Sequence, residues 1–332
     1  MSAVPEPFSP MLAPAFERLL REQHPLALAR APVDSGITLS AQASACWSAL
    51  AEGGWLELGT HSLRVEAMPE LALLGEASGR SLLCLPLAFS ALVLAPLAER
   101  FPALAADFLA EPLEAAPASG RIDFGSTAGP LLWDWLGERA GYYQLARADS
   151  GFVLRRYAPS SAPVDGLDAG LSVLALDRDS SSAEWPLALN GTEVQQLLHP
   201  FLVFQYAHLL GAALSGLELA VAYAGERRQF GRAIGEFQAV KHALANAWVA
   251  LDNGRYALEA LHQQPDGGPL QITQRVLTSG ARLAARVALQ VHGAIGFAWE
   301  HDIQLYLKRV YKTAAQMEHV VQQLAALDPP AA

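Results

Sequence analysis

The chain has 332 residues, 52 % of them hydrophobic, a mean hydropathy of +0.20 and a formal net charge of −10. That length suits two or three domains with a large core and excludes a globally disordered chain. The acidic balance, with no basic arm to offset it, disfavours nucleic acid as a partner, because phosphate binding needs positive surface.

Starting at the N-terminus, MSAVPEPFSP has neither a basic n-region nor an apolar h-region, so no signal peptide is read there and a cytoplasmic protein is expected. The first hundred residues read as helices. Phe8 to Glu22 carries apolar residues at near-helical spacing. Leu39 to Glu52 follows a threonine that could cap it and stops at Gly53-Gly54. Met68 to Gly79 and Leu85 to Phe101 follow, the latter with Pro86 near its start, where proline is tolerated. Cys46 and Cys84 lie in these apolar contexts and are expected as reduced core residues. No metal-ligand spacing such as C-x-x-C occurs, so no metal site is expected.

The character shifts near Glu114 to Gly120, where APASG reads as a linker. Short strand-like segments come next: Arg121 to Phe124, Tyr142 to Arg147, Gly151 to Tyr157 and Leu171 to Leu176, separated by Gly, Ser, Asp and Pro. From Val194 to Glu226 the pattern is a long helix with Pro200 in its first part. Phe201 to Ala224 is long enough to span a bilayer. It contains Gln205, His208 and Glu218, however, and charges inside a membrane are costly, so a buried central helix is expected and no membrane partner. Phe237 to His262, Leu270 to His292 and a helix within Ile303 to Leu327 complete an antiparallel four-helix bundle. The expected fold is mostly α with a small β domain: an N-terminal helical domain (1–115), a middle β domain (116–190) and a C-terminal four-helix bundle (191–332).

Two motifs carry chemistry. GERRQFGRAIGEFQAVKH, Gly225 to His242, gathers Arg227, Arg228, Arg232 and Lys241 around a Phe-Gly corner at the exit of the apolar helix. Later comes Gln290-Val291-His292-Gly293-Ala294-Ile295-Gly296-Phe297. An arginine fork and a following helix start are suited to a pyrophosphate, and glycine lets the backbone approach closely. The R-x-x-F-G-x-x-I-x-x-F-Q and Q-x-H-G-x-x-G-F strings, in this order and separation, resemble the acyl-CoA dehydrogenase family. Trp47 to Glu52 with Gly54-Trp55-Leu56, and Gly75 to Arg80, are similar to its first domain. The resemblance implies FAD as cofactor and an acyl-CoA as substrate. In the family the motif arginine reaches the FAD pyrophosphate of a neighbouring subunit, which places that role on Arg227, with Gln229, Phe230 and Gln238 nearby. The Gln290 to Gly293 segment is placed at the adenosine end of the same FAD.

The family's base is a glutamate in one of two places. Counting forward from Gln290 to the turn before the last helix lands on Met317, and Glu318 is one residue away, a candidate base if the turn slips. Counting back from Arg227 to the start of the long helix lands on Phe201; Glu193 and Glu218 both stand well away. The turn that meets the flavin ring has no full copy, although Asp123-Phe124-Gly125-Ser126-Thr127 occupies a similar position. Some family members are paired unequal subunits, often acting on CoA thioesters of steroid side chains, in which one chain supplies the base and the other completes the FAD pocket. The short domains and the WEHD-x-x-LYLKR string (Trp299 to Arg309) resemble those. The expectation is therefore a subunit of a hetero- or homo-oligomer serving lipid or steroid catabolism, leaning to the partner-completing kind. The alternative is a non-catalytic scaffold or regulatory protein that keeps the fold.

Overall fold

The computed structural model describes residues 12–30, 33–34, 38–60, 65–110, 113, 115–124, 131–134, 136–149, 151–159, 163–164, 166, 173–263 and 267–327. The order of elements is helical, then β, then helical. α1 spans Leu12–Gln23, so the expected start at Phe8 lies outside the described residues. Two short strands, β1 (Val33–Asp34) and β2 (Thr38–Leu39), pair before α2 (Ala41–Glu52). The cap of α2 is Ser40, not the threonine: the Ser40 Oγ accepts from the Ala43 N–H at 3.1 Å. Thr38 is instead drawn into the β1–β2 ladder. α3 covers Met68–Arg80. α4 (Leu87–Phe89) continues through one π-helical turn, Ser90–Leu94, into α5 (Ala95–Arg100), and α6 (Pro102–Ala110) follows. Both cysteines are free and buried, and burial pushes the Cys46 thiol up to about 12.

The strands are longer and more numerous than the sequence pattern predicts. β3 is Ala118–Asp123, so half of the expected linker is sheet. β4 (Leu131–Asp134) pairs antiparallel with β7 (Val173–Leu176); residues 171 and 172 of the expected last strand lie outside the described residues. β5 (Gly141–Ala148), β6 (Gly151–Tyr157) and β8 (Ser181–Leu187) join β3 in a sheet of order β3-β5-β6-β8, in which only the β3–β5 pair is parallel. Tyr142, Leu145, Leu154 and Tyr157 bury its centre, and the Tyr157 hydroxyl donates to Gln144 Oε1 at 2.7 Å.

α7 runs from Gly191 to Glu226. Asn190 and Glu193 cap its start reciprocally: Glu193 Oε2 accepts from the Asn190 N–H and Asn190 Oδ1 from the Glu193 N–H. Its length and apolarity would suit a membrane span, yet 83 % of its most apolar window is buried inside the protein. After a two-residue-stranded hairpin, β9 (Arg228–Gln229) and β10 (Arg232–Ala233), come α8 (Gln238–Gln263), α9 (Gly267–His292) and α10 (Ile303–Ala325). α8 and α9 are antiparallel: Gly280 lies against Ala250, Gly254 against Leu277, and Thr273 Oγ1 donates to the Ala257 carbonyl.

The contacts divide into two compact units, each drawn from separate stretches of chain. One holds Val65–Leu83 and Val203–Glu318. There Ser78 meets His208 Nδ1 at 2.8 Å, and the Arg309 guanidinium donates to the Leu83 carbonyl. The other takes in 84–202, with the β strands and the start of α7. Within it the Phe89 ring fills the space where a Cβ on Gly120 would stand, and it meets Phe201 edge-on at 6.4 Å.

Candidate functional site

The arginine motif forms a hairpin at the end of α7. The Arg227 N–H donates to the Tyr223 carbonyl and its own carbonyl accepts from Ile234, so this backbone is anchored on both sides. Gln229 and Arg232 are register partners, leaving Phe230-Gly231 as a two-residue loop. Both have positive φ, 53° and 82°, which is the type I′ turn whose twist suits a hairpin. Glycine adopts that conformation freely, but a bulky aromatic there is uncommon and strained. Phe230 is nevertheless 92 % exposed. Its ring meets Phe237 edge-on at 6.2 Å, while the Arg232 guanidinium lies 4.0 Å over the other ring. Glu236 Oε1 accepts from the Ala233 N–H and closes the turn.

The hairpin is therefore tied down by main-chain hydrogen bonds and outward-facing. Arg227, Arg228 and Arg232 are exposed, and among the described residues no carboxylate pairs with any of them. Gln229 donates to the Arg228 carbonyl, and Gln238, at the first turn of α8, is exposed. Exposed guanidiniums with no carboxylate partner, on an acidic chain, fit a diphosphate.

The second motif stands beside the first. α9 ends at His292, and Gly293, with φ 63°, turns the chain left-handed into a short 3-10 segment. The His292 ring stacks on Tyr223 at 4.6 Å and 21°, and so touches the residue that anchors Arg227. Its Nδ1–H donates to the Ala288 carbonyl at 2.7 Å, and His301 meets it edge-on. Burial holds the imidazole below its ordinary value, partly offset by the Ala288 bond and reinforced by His301. Gln290 is exposed, and Ile295, Phe297 and Trp299 follow as exposed apolar side chains. Tyr223 went unnoticed in the sequence; its place four residues before Arg227, one helical turn, is the signal that could have found it.

The carboxylates weighed as bases are all held by arginines. Both Glu318 oxygens take the Arg282 guanidinium, at 2.5 and 2.8 Å, and the pair keeps Arg282 firmly protonated. Glu218 is paired with Arg80 at 2.9 Å. Glu193 pairs with Arg100, which with the Asn190 cap holds it below the usual carboxylate range. Glu318 lies within electrostatic reach of Tyr206, whose hydroxyl burial pushes far up. Tyr206 and Arg227 stand about 30 Å apart along α7 at its 1.5 Å rise per residue, so Glu318 and the hairpin belong to opposite ends of the bundle. The two positions to which the counting leads, Phe201 and Met317, are both buried apolar side chains.

Beyond β3, residues 125–127 of the Asp123 to Thr127 turn lie outside the described residues. Asp123 is buried and bound by Arg178 at 3.0 Å, with Arg121 at 3.4 Å. The Phe124 N–H is taken by Gln323 Oε1 of α10 at 2.7 Å, and His319 of the same helix meets Arg121.

Residues 201–316 match the family model for the acyl-CoA dehydrogenase C-terminal domain. The acyl-CoA dehydrogenase IpdE2 of Mycolicibacterium smegmatis is 36 % identical over 122 residues, 37 % of this chain and 39 % of that protein. The matched stretch thus spans about two fifths of the relative's length. The ChsE4–ChsE5 complex from Mycobacterium tuberculosis superposes with a TM-score of 0.69 at 17 % identity, over 96 % of this chain and 97 % of that one. Butyryl-CoA dehydrogenase from Megasphaera elsdenii does so with a TM-score of 0.65 at 14 % identity, over 97 % and 98 %. At such identities the likeness is one of fold.

Proposed function

We propose that this chain, whose residues 201–316 match the acyl-CoA dehydrogenase C-terminal domain model and whose fold is like that of acyl-CoA dehydrogenases, is a cytoplasmic flavoprotein subunit serving α,β-dehydrogenation of a CoA thioester. Its part is to complete the FAD site of an adjacent chain. Arg227 holds the pyrophosphate, with Gln229, Phe230 and Gln238 beside it, and Gln290 and Gly293 meet the adenosine end. FAD supplies the hydride acceptor for the β-carbon. The partner chain supplies the carboxylate that takes the α-proton.

One contrast carries this reading: the guanidiniums of the hairpin are left unneutralised at the surface, while Phe201 and Met317 seal the base positions in the core. Heteromeric assembly is supported by the ChsE4–ChsE5 complex, and a steroid-derived acyl group by the likeness to a steroid ACAD, Tcur3481–Tcur3483. The domain limits near residues 115 and 190 are part of the same proposal.

The test is the visible absorption spectrum of the chain purified alone and then co-purified with the product of its neighbouring gene. The expected outcome is flavin only in the pair, bleached by the acyl-CoA substrate. A yellow chain bleached by acyl-CoA on its own sinks the partner-subunit reading. Colourless preparations in both cases sink the flavoenzyme reading and leave the scaffold.

A further inference from the structure

A hollow of about 560 Å³ opens where α3 and α8 border the middle of α7. Glycines bring α3 and α7 together backbone to backbone: Gly75 lies against the Phe204 carbonyl, Gly79 against that of His208, and Gly211 against that of Glu76. α8 reaches α3 through an ion pair, Arg255 Nη1 to Glu76 Oε2 at 3.1 Å. Glu76 is the last α3 residue to line the hollow and Arg255 the first from α8, so this pair marks one end. From there the lining follows α8 to Gln263, about 12 Å at 1.5 Å per residue, and α3 back to Glu66 in the turn before it. Ala207 and Leu210 of α7, both buried, form the floor. Leu258 walls one side and Leu73, which is 52 % exposed, the other.

The size falls within the range of about 300–1,000 Å³ typical of small-molecule sites, and the make-up matches them: mainly apolar walls with a few polar groups, between helices of a bundle. The charge decides the class of ligand. Three carboxylates, Glu66, Glu76 and Glu259, stand against one guanidinium. Glu76 is taken up by Arg255 and by Arg80, the latter at 3.0 Å. Glu66 and Glu259 are exposed, and among the described residues no cation pairs with either. A carboxylate beside an apolar wall attracts a cation more strongly than one in open water, because the local dielectric is lower. The same two charges repel an anion.

We propose that this hollow binds a small organic cation, an ammonium on a compact apolar or aromatic body. The body lies on Ala207 and Leu210 between Leu73 and Leu258, and the ammonium sits at the rim with Glu66 and Glu259. Leu210 and the end of α7 at Glu226 stand about 24 Å apart along the helix. The site is therefore separate from the FAD clamp and stands whether or not the flavin reading does.

Isothermal titration of the full 332-residue chain with phenethylamine, 2-phenylethanol, phenylacetate and methylammonium tests it. Saturable binding of phenethylamine, at least tenfold tighter than any of the other three, is expected. Glu66→Gln combined with Glu259→Gln, two exposed positions with no ion pair to lose, should weaken it at least tenfold. Leu73→Asn, which keeps the charges and removes part of the apolar wall, should weaken it severalfold. Absence of saturable phenethylamine binding overturns the proposal. So does 2-phenylethanol binding as tightly, which would make the hollow merely apolar, or methylammonium binding as tightly, which would make it merely acidic. Either variant binding like the parent overturns it as well.

Discussion

At the scale of single residues, the chain separates charges that are used up from charges that are kept available. Arg282, Arg80 and Arg100 each hold a glutamate, whereas Arg227, Arg228 and Arg232 hold none. Two backbone hydrogen bonds hold the main chain of Arg227 in place, so only its side chain has to be ordered when a diphosphate arrives. Arg227→Ala should therefore weaken FAD retention by the pair about 10- to 150-fold, the equivalent of about 1.5–3 kcal/mol for a charge-assisted bond. Unchanged flavin content after gel filtration would refute the role. Glu318 makes the opposite prediction. A general base contributes about 100-fold or more, but both Glu318 oxygens are engaged by the Arg282 guanidinium. Glu318→Gln should leave the turnover of the pair within about threefold and lower thermal stability by about 1 kcal/mol through loss of the ion pair. A hundredfold fall in turnover with the stability intact would restore Glu318 as the base.

Between elements, the joint that matters is the end of α7 against the end of α9, where Tyr223 stacks on a buried His292. Burial depresses the imidazole, so the folded state favours the neutral ring. Above the ordinary histidine value of about 6.5 the ring is neutral in both folded and unfolded chains. As the pH falls below it, the unfolded chain takes up the proton first, and this contribution to stability is lost down through the folded-state value. The slope is at most about 1.4 kcal/mol per pH unit for one proton. Thermal unfolding from pH 8 to 5 should therefore show a smaller acid loss in His292→Phe than in the parent; parallel curves would remove His292 as the cause. His319 shifts in the same direction and remains in both proteins. How far such joints were legible depends on range. α7 and the motif spacings follow from local pattern, because an apolar helix and a Phe-Gly corner are written in neighbouring residues. β3 was half missed because Ala-Ser-Gly lacks β-branched residues, and its strand comes from pairing with β5, more than twenty residues on. The Arg282–Glu318 pair joins two helices and leaves no periodic trace at all.

Across the whole molecule, exposed apolar side chains are unevenly distributed. Of the thirteen large hydrophobics exposed among the described residues, ten fall between Leu219 and Trp299. On α8, Val249 and Tyr256 lie two turns apart on one face with Trp248 beside Val249, each half or more exposed, and Ile272 on α9 is exposed as well. Isolated exposed apolar residues need no explanation, but a concentration of aromatic ones is the composition of a contact surface. The same stretch carries both motifs read as reaching a neighbour's FAD, so assembly and cofactor binding should depend on one another. A chain of net charge −10 also repels its own copies, which favours a less acidic partner. Trp248→Lys with Tyr256→Lys should dissociate the co-purified pair, read as a fall in mass by light scattering at micromolar concentration, and should release flavin in the same step. Neither position lies in the hairpin, so direct loss of an FAD contact is not the cause of such a release. A pair that keeps both its mass and its flavin would place the interface on another face and break the link between assembly and the clamp.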